Sequence, residues 1–586
     1  MQLMGIGVLT WITFLPVLGM VLVLLIPKEQ RDAIRWTSLV ITIIQLVLSI
    51  AIFMRFDRGM TGINTEAGMQ FIEKASWIDI KSVAWFGRIH IEYFLGIDGL
   101  SVAMVILTAL ISTVAALSSW NIEKSVKGYF ALFLLLDTGM MGVFVSLDFF
   151  LFYIFWELML LPMYFLIGIW GGSRREYAAI KFFLYTLFGS VLMLLAMIAL
   201  YFSVNVFMDP NGVIYSVTEA VKHGTQGLEK IHTFNMLAMM DPANYIPDSL
   251  LAGVNTTWRY LAYGALFIGF AIKIPSFPFH TWLPDAHVEA PTAISVILAG
   301  VLLKMGAYGL LRISFPMFPD AMVHYAWELA LLGVISMVYG ALVAMAQTDF
   351  KKLIAYSSIS HMGVVTLGMA SMNTQGITGA VFQMFNHGTI TAMLFLIVGV
   401  IYDRAHTRGL NEFGGLMNQM PKYAGVMTVA FFAALGLPGL SGFISEAFSL
   451  IGAFQTFRVL TMIGTVTIVV TAGYMLWTLQ RVFLGQLPEK WKNLTDLNGR
   501  EMVMLWPLAL IVIFLGVYPS PMLDLMNTSM NVLAGVLDQA RHATVIMGMN
   551  GDERLPVRDC RSLRSDFRLK IHHARTDSQR PSTLLP

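Results

Sequence analysis

Fourteen long apolar runs, separated by polar connections, constrain this chain more than any other feature. Each run holds about 20 mostly apolar residues, the length of an α-helix that crosses a bilayer. Strands of an outer-membrane barrel would be about 10 residues long and would alternate in polarity. The runs predict an all-α, polytopic membrane protein of about 14 transmembrane helices, near 8–26, 37–54, 99–119, 129–147, 149–170, 178–205, 260–280, 291–312, 325–346, 353–371, 377–402, 424–452, 459–480 and 502–526.

Composition also indicates that lipid is the solvent. Of the 586 residues, 57% are hydrophobic and 13% are charged, against about 25% charged in a soluble domain. A net charge of +2 gives no sign of a nucleic-acid partner. The single cysteine, Cys560, excludes an internal disulfide and a cysteine-held iron–sulfur cluster. Walker A and Rossmann motifs are also missing from the sequence, so we expect any redox carriers to lie in partner chains.

The basic residues of the short loops predict orientation, because cytoplasmic loops are enriched in Lys and Arg. They fall in the odd-numbered loops, which places both termini outside. The first run, Val8 to Ile26, has no basic residue before it and is interpreted as a retained helix rather than a signal peptide. The insertions 56–97 and 206–258 are predicted to be extramembrane loops, and the polar tail 551–586 is predicted to be disordered.

Seven ionisable residues lie near mid-bilayer depth, each on a different predicted helix. A charge at that depth costs about 2.5–3.5 kcal/mol on insertion scales, so such residues are commonly functional. Buried lysines, carboxylates and histidines can exchange protons near neutral pH. The set predicts a polar track parallel to the membrane plane, made of Asp137, Glu157, Lys273, Lys304, His361, His387 and Glu446.

Structural roles remain open for several of these groups. A membrane histidine is often a helix–helix hydrogen-bond partner, which applies to His361 and His387 separately. Glu157 and Lys273 are also compatible with an inert ion pair. Basic residues near helix ends are interpreted as snorkelling anchors: Lys181, Arg259, Arg312 and Arg481.

Two predicted helices are interrupted beside these residues. Lys273 precedes Pro275 in the seventh span, and Glu446 follows Pro438 and Gly439 in the twelfth. Paired broken helices are typical of inverted-repeat transporters, with the site at the break. We therefore expect inverted five-helix repeats at 129–312 (helices 4–8) and 325–480 (helices 9–13). The remaining segments are 1–128 with helices 1–3, 481–550 with helix 14, and the tail 551–586.

The segment from His280 to Thr292 holds His280, Asp285, His287 and Glu289. A metal site is one interpretation, but the spacing fits no common zinc pattern. The preferred interpretation is a rigid cytoplasmic turn between two functional helices.

Four motifs make a family resemblance visible: FWELMLLPMYFLIGIWGG, AIKIPSFPFHTWLPDAHVEAPTAISVILAGVLLKMGAYGLLR, TDFKKLIAYSSISHMG and NHGTITAMLFLIVGVIYDR. They closely resemble the antiporter-like subunits of respiratory complex I, and the M-type members most. The resemblance covers most of residues 95–525. It implies fourteen helices that hold two inverted five-helix repeats, with helices 7 and 12 broken.

The resemblance also implies roles for individual residues. Glu157 and Lys273 match the glutamate–lysine pair of the first half-channel. Lys304 matches the lysine that leads to the centre, and His361 and His387 match the connecting polar axis. Glu446 matches the terminal residue of the second half-channel, where L-type members generally have lysine. Asp137 is not carried over by the motifs and ranks lower.

The function implied is proton translocation by a membrane-arm subunit of NADH:quinone oxidoreductase, in a bacterial plasma membrane with periplasmic termini. The enzyme activity would belong to the assembly, whose NADH, FMN, iron–sulfur clusters and quinone lie in partner subunits. Neighbouring antiporter-like subunits and lipid are the expected partners. The alternatives are a D-type subunit of a multisubunit Na⁺/H⁺ antiporter, a membrane hydrogenase subunit, and a structural scaffold with inert ion pairs.

Overall fold

Long helices dominate the computed structural model, which describes residues 2–3, 5–60, 62–83, 87–210, 212–253 and 255–549. Twelve helices in this part of the chain are long and apolar enough to cross a membrane. The described residues up to Asp538 form one compact unit, and those from Gln539 onward belong to a second. The expected disorder of the tail 551–586 concerns residues outside those described.

The helices of the first half include short segments at the interruptions and in the loops. They are α1 (Val8–Leu25), α2 (Arg31–Arg55), α3 (Gly99–Ser118), α4 (Val126–Val145), α5 (Phe149–Leu158), α6 (Leu160–Trp170), α7 (Arg175–Ser203), α8 (Val217–His223), α9 (Met236–Met240), α10 (Thr256–Lys273), α11 (Trp282–Glu289), α12 (Thr292–Ile297), α13 (Leu303–Gly309), α14 (Phe315–Met317) and α15 (Pro319–His324). Two π-helical turns, Leu298–Leu302 and Leu310–Ser314, join α12, α13 and α14 into one span.

The second half is more regular. Its helices are α16 (Ala326–Met345), α17 (Phe350–Ala370), α18 (Thr374–Ala405), α19 (Leu416–Gln419), α20 (Pro421–Ala434), α21 (Ser441–Thr456), α22 (Arg458–Phe483), α23 (Gly499–Val517) and α24 (Ser520–Met549). The apolar parts of Thr292–Met317 and α18 are completely buried, so these two spans form the centre of the bundle.

Twelve predicted spans correspond to these uninterrupted membrane-length segments. The other two, 260–280 and 424–452, are the interrupted ones, so the total of fourteen crossings and the inverted repeats stay predictions. The last predicted span, 502–526, is two helices in the structure, because α23 ends at Val517 and α24 begins at Ser520. Pro519 separates them and cannot donate the backbone hydrogen bond that a continuous helix needs.

Both breaks predicted from proline and glycine are present. After Lys273 the chain leaves the helix, and the freed carbonyl of Ile272 accepts a hydrogen bond from the Trp282 indole at 2.9 Å. Between α20 and α21 the chain turns through Gly436 and Gly439, whose φ angles of 76° and 92° favour glycine.

The segment before α1 and two even-numbered loops contain strands that the apolar pattern did not reveal. β1 (Gln2–Leu3) pairs with β2 (Ile6–Gly7), and β3 (Gln70–Val83) forms an antiparallel hairpin with β4 (Gly87–Ile97). In the loop 206–258, a three-stranded sheet has the order β6 (Ile214–Tyr215), β5 (Asn205–Met208), β7 (Glu229–His232).

Loops of equal parity contact each other, as expected for a chain that alternates across a membrane. At one end, Leu95 bridges Ser146 and Asp148 bridges Asn235, which joins the even loops. At the other end, Asp349 bridges Gly409, and odd loops meet there. The sequence-based assignment of even and odd loops to opposite ends agrees with this grouping.

The hairpin outside the predicted spans contains a buried histidine that titrates. His90 on β4 is 2% exposed, and its Nδ1 lies 3.8 Å from Asp79 Oδ1. Burial lowers the pKa of His90 below its usual 6.5, although Glu92 and Asp79 oppose this shift and Arg88 adds to it. The hydrogen bond from Arg88 holds the pKa of Asp79 below its usual range, so Asp79 stays charged at mildly acidic pH.

We expect the contribution of His90 to the stability of the hairpin to fall as pH drops from 7 to 5. His90 binds a proton less readily in the folded protein than in the unfolded chain. Its contribution to stability is therefore present above about pH 6.5 and is lost as pH falls below that value. The nearby Asp148, whose pKa burial raises to about 7, contributes the opposite slope. Hydrogen exchange of the β4 amides in wild type and His90→Gln isolates the histidine. An identical pH dependence in the two proteins would contradict the prediction.

Candidate functional site

Four predicted residues from four helices form a continuous buried contact chain. Lys304 on α13 places its Nζ 2.6 Å from Nδ1 of His387 on α18. The His387 ring lies 5.7 Å, centroid to centroid, from the ring of His361 on α17. His361 Nδ1 is 2.9 Å from Glu446 Oε1 on α21. The side chains therefore link the span Thr292–Met317 to α21, the helix that follows the second break.

The π-helical turn before Lys304 positions its side chain. Wider winding leaves the carbonyl of Ala299 to accept a 2.5 Å hydrogen bond from Lys304 Nζ. At the same turn the chains approach closely, because a Cβ on Gly388 would lie 2.8 Å from the carbonyl oxygen of Gly300. Glycine at both positions lets α18 bring His387 to Lys304.

The two imidazoles border a small cavity, and each has one ring nitrogen without a hydrogen-bond partner among the described residues. Nε2 of His361 and Nε2 of His387 are both buried and make no hydrogen bond within the described chain. Both side chains and Glu446 line a cavity of about 10 Å³, close to the roughly 10–15 Å³ that one water molecule needs. The site thus combines direct contacts with one gap that a single water can bridge.

Three polar residues that the sequence analysis missed hold Glu446 in place. Gln383 Nε2 donates to Glu446 Oε1 at 3.3 Å, and Ser445 Oγ donates to Gln383 Oε1 at 2.5 Å. Asn386 Nδ2 donates to Ser445 Oγ at 3.0 Å. Gln383 precedes His387 by four residues, so helical spacing places both on one face and was the available signal.

Glu157 and Lys273 are neighbours without a direct ion pair. Their nitrogen–oxygen separation exceeds the 4.0 Å of an ion pair, although Glu157 still acts electrostatically on Lys273. Lys273 is 2% exposed, and its Nζ lies 5.1 Å from the Trp156 ring and 5.7 Å from the Phe182 ring. Glu157 Oε1 is buried without a hydrogen-bond partner among the described residues. The inert ion pair considered above is therefore not formed.

Asp137 does not join the contact chain. It is fully buried on α4, and its Oδ1 accepts a hydrogen bond from Ser112 Oγ on α3 at 2.6 Å. Its polar partners, Ser112 on α3 and Gln45 on α2, belong to the first three helices.

The segment after the first break is a helix, α11, rather than the predicted turn. Asp285 pairs with Lys181 at 2.8 Å. His287 is fully buried, stacks on Phe395 at 4.4 Å, and is within electrostatic range of both Lys351 and Lys304. Groups of three or more His, Cys, Asp or Glu residues that could hold a metal are not found in the described part of the chain.

A cavity of about 490 Å³ opens at the end of the bundle where the odd loops meet. Its lining includes Glu289, Lys351, Asp403 and Arg408. Lys351 is 5% exposed and donates to the carbonyl of Ala290 at 2.5 Å. The cavity thus reaches a buried lysine close to His287.

Two expected snorkelling anchors are instead buried ion pairs. Arg312 has no exposed surface and binds Asp98, which caps the N-terminus of α3. Arg259 is 8% exposed and pairs with Asp320 at 2.6 Å. The snorkelling interpretation is wrong for these residues because loops fold over the helix ends that carry them. Lys181 is engaged by Asp285, whereas Arg481 lies over the Trp477 ring at 3.9 Å.

Fold and site together define a polytopic helical membrane protein with a buried row of ionisable side chains in contact. Residues 146–471 match the family described as NADH:quinone oxidoreductase/Mrp antiporter, transmembrane. The chain belongs to this family.

Relatives and solved structures agree with the family assignment. The chain is 42% identical to NADH-quinone oxidoreductase subunit M of Rhodobacter capsulatus over 533 residues, which cover 89% of this chain and 95% of that protein. It is 39% identical to F420H2 dehydrogenase subunit M of Methanosarcina mazei, over 82% of this chain and 89% of the relative. A chain of respiratory complex I from Thermus thermophilus with bound NADH superposes with a TM-score of 0.73 at 26% identity, covering 90% of this chain and 99% of that one.

Proposed function

We propose that this chain is the proton-translocating M-type subunit in the membrane arm of an NADH:quinone oxidoreductase. Enzyme activity belongs to the assembly, with NADH, FMN, iron–sulfur clusters and quinone bound by partner subunits. The contact chain from Lys304 through His387 and His361 to Glu446 carries the proposal. Neighbouring antiporter-like subunits and lipid cover its apolar outer helices.

The relay works because each imidazole can take up a proton at one ring nitrogen and release it from the other. Lys304 delivers a proton to His387 Nδ1 across 2.6 Å. His387 Nε2 passes one to His361 Nε2 through a water bound in the cavity that both side chains line. His361 Nδ1 then protonates Glu446 Oε1, 2.9 Å away.

Protons reach Lys304 from the end of the bundle where the odd loops meet. The cavity there brings water to Lys351, and His287 lies within electrostatic range of both Lys351 and Lys304. Glu157 and Lys273 serve the first half of the chain as a charge pair that responds to neighbouring subunits. A direct ion pair would hold the Lys273 proton more tightly, so the wider spacing favours its release.

Segments and orientation follow the same proposal. Residues 129–312 and 325–480 form two inverted repeats, each with one broken helix next to a relay residue. The membrane is the bacterial plasma membrane, with the basic odd loops in the cytoplasm and both termini in the periplasm.

Replacing Lys273 with alanine tests proton translocation against an inert scaffold. The variant complex, reconstituted in vesicles, is expected to lose NADH-driven acidification while it still assembles. Lys422→Ala, at an exposed position, is the matched control. Undiminished pumping in Lys273→Ala would favour the scaffold. Proton movement driven by a sodium gradient, without NADH or quinone, would favour a Na⁺/H⁺ antiporter subunit.

A further inference from the structure

A second buried polar group lies among the first four helices, apart from the relay. One face of α2 carries polar residues at spacings of four, three and four, namely Ser38, Thr42, Gln45 and Ser49. All four are fully buried. The face meets Ser112 on α3 and Asp137 on α4, and the Gln45 amide lies beside the Asp137 carboxyl.

Most of this face is satisfied by its own helix. Ser38 donates to the carbonyl of Ile34 at 3.0 Å, Thr42 to that of Leu39 at 2.9 Å, and Ser49 to that of Gln45 at 2.8 Å. These hydroxyls are accounted for as helix packing. They need no ligand.

Asp137 and Gln45 differ from these hydroxyls. Asp137 Oδ2 and Gln45 Oε1 are buried and accept no hydrogen bond from the described residues. Asp137 Oδ1 has one donor, Ser112 Oγ at 2.6 Å. Among the described residues, the influences that act on this carboxyl are its burial and the uncharged side chains of Ser112 and Gln45, with no charged group among them. Buried oxygen acceptors thus gather at a position where the described residues supply no positive charge.

An ionised carboxylate in this position would be buried and uncompensated, which is strongly unfavourable. A single proton removes the charge and turns Oδ2 into a donor beside the Gln45 amide. Oδ1 then keeps the hydrogen bond from Ser112 as a carbonyl oxygen. One bound proton therefore resolves the charge and gives the orphaned Oδ2 a hydrogen to donate.

We infer that Asp137, Ser112 and Gln45 form a proton-binding site in which Asp137 is a neutral carboxylic acid at pH 7. The site stands independently of the proposed relay. Helix α3 separates the two, because Ile111 next to Ser112 packs against Gly300 in the turn that positions Lys304. Release of this proton would place a negative charge across α3 from Lys304 and would favour the protonated lysine.

Infrared difference spectra of the assembled complex test the inference. Subtracting Asp137→Asn from wild type, at pH 7 in sodium-free buffer, is expected to show the carbonyl band of a protonated carboxylic acid. Asp32→Asn is the matched control, because Asp32 is exposed and paired with Arg35 and should contribute only carboxylate bands. Ser112→Ala should keep the Asp137 band and move it to higher frequency, since the hydrogen bond to Oδ1 is lost.

If the spectrum of wild type minus Asp137→Asn shows carboxylate bands in place of the carbonyl band, the inference is wrong. If those bands also respond to Na⁺ but not to K⁺, the site binds sodium and the proton assignment is wrong. If the Asp137→Asn complex does not assemble, the difference spectrum between wild type and Ser112→Ala is the test. A shifted carbonyl band supports the protonated acid, and a change confined to carboxylate bands contradicts it.

Discussion

Replacing Lys304 with methionine is expected to slow NADH-driven proton pumping by roughly 100-fold, the low end of what a positioned proton-transfer group contributes. Methionine approximates the length of the buried side chain but cannot hold a proton. His387 then loses the donor 2.6 Å from its Nδ1, and the contact chain loses its first member. The initial rate of vesicle acidification after NADH addition measures the effect.

Two further variants separate proton exchange from charge. Lys304→Arg keeps the positive charge but binds its proton permanently, so it should also fail to pump. Lys422→Met changes an exposed lysine by the same substitution and should pump normally. Normal pumping by Lys304→Arg would show that a fixed charge suffices, and a relay through Lys304 would be wrong.

The second large effect concerns stability. Arg312→Met is expected to destabilise the folded subunit by about 3–5 kcal/mol, since removing one partner of a buried ion pair leaves the other charge uncompensated. Asp98 has no exposed surface and also caps α3, so it cannot relax toward water. Denaturant unfolding in detergent, followed by tryptophan fluorescence, measures the loss.

A double variant provides the control. Asp98→Asn with Arg312→Met removes both charges, while asparagine can still cap the helix. It should recover part of the stability lost in Arg312→Met. A loss below about 1 kcal/mol in the single variant, as for an exposed pair, would contradict the burial of this pair.

Much of the bundle could be predicted from the sequence for two reasons. A helix needs a long apolar run to cross the bilayer. A charged residue inside such a run is energetically costly and therefore stands out as a functional candidate. The broken helices were visible as Pro275 and as Pro438 with Gly439. Residues on four helices, Lys304, His387, His361 and Glu446, were expected at one depth and do form one contact chain. Depth alone ranked Asp137 equally with these residues as a candidate for the polar track. In the structure it contacts Ser112 on α3 instead. A hydropathy pattern does not show which side of one helix packs against which neighbouring helix.

Other features depended on contacts between distant segments. Arg312 follows Lys304 by eight residues and shares its helix face, but only the fold shows that Asp98 from another helix end meets it. The hairpin of β3 and β4 lies in a polar loop, and the bridge from Leu95 to Ser146 joins it to the next even-numbered loop. Such long-range pairing is invisible to local patterns.

The most direct test of a continuous relay breaks it in the middle. His361→Gln retains a hydrogen-bonding side chain beside Glu446 but cannot take up a proton. His324→Gln, at an exposed position, is the matched control. The number of protons translocated per NADH oxidised is measured in reconstituted vesicles. We predict a lower ratio, or arrested turnover, in His361→Gln alone, whereas an unchanged ratio at the wild-type turnover rate would contradict the relay.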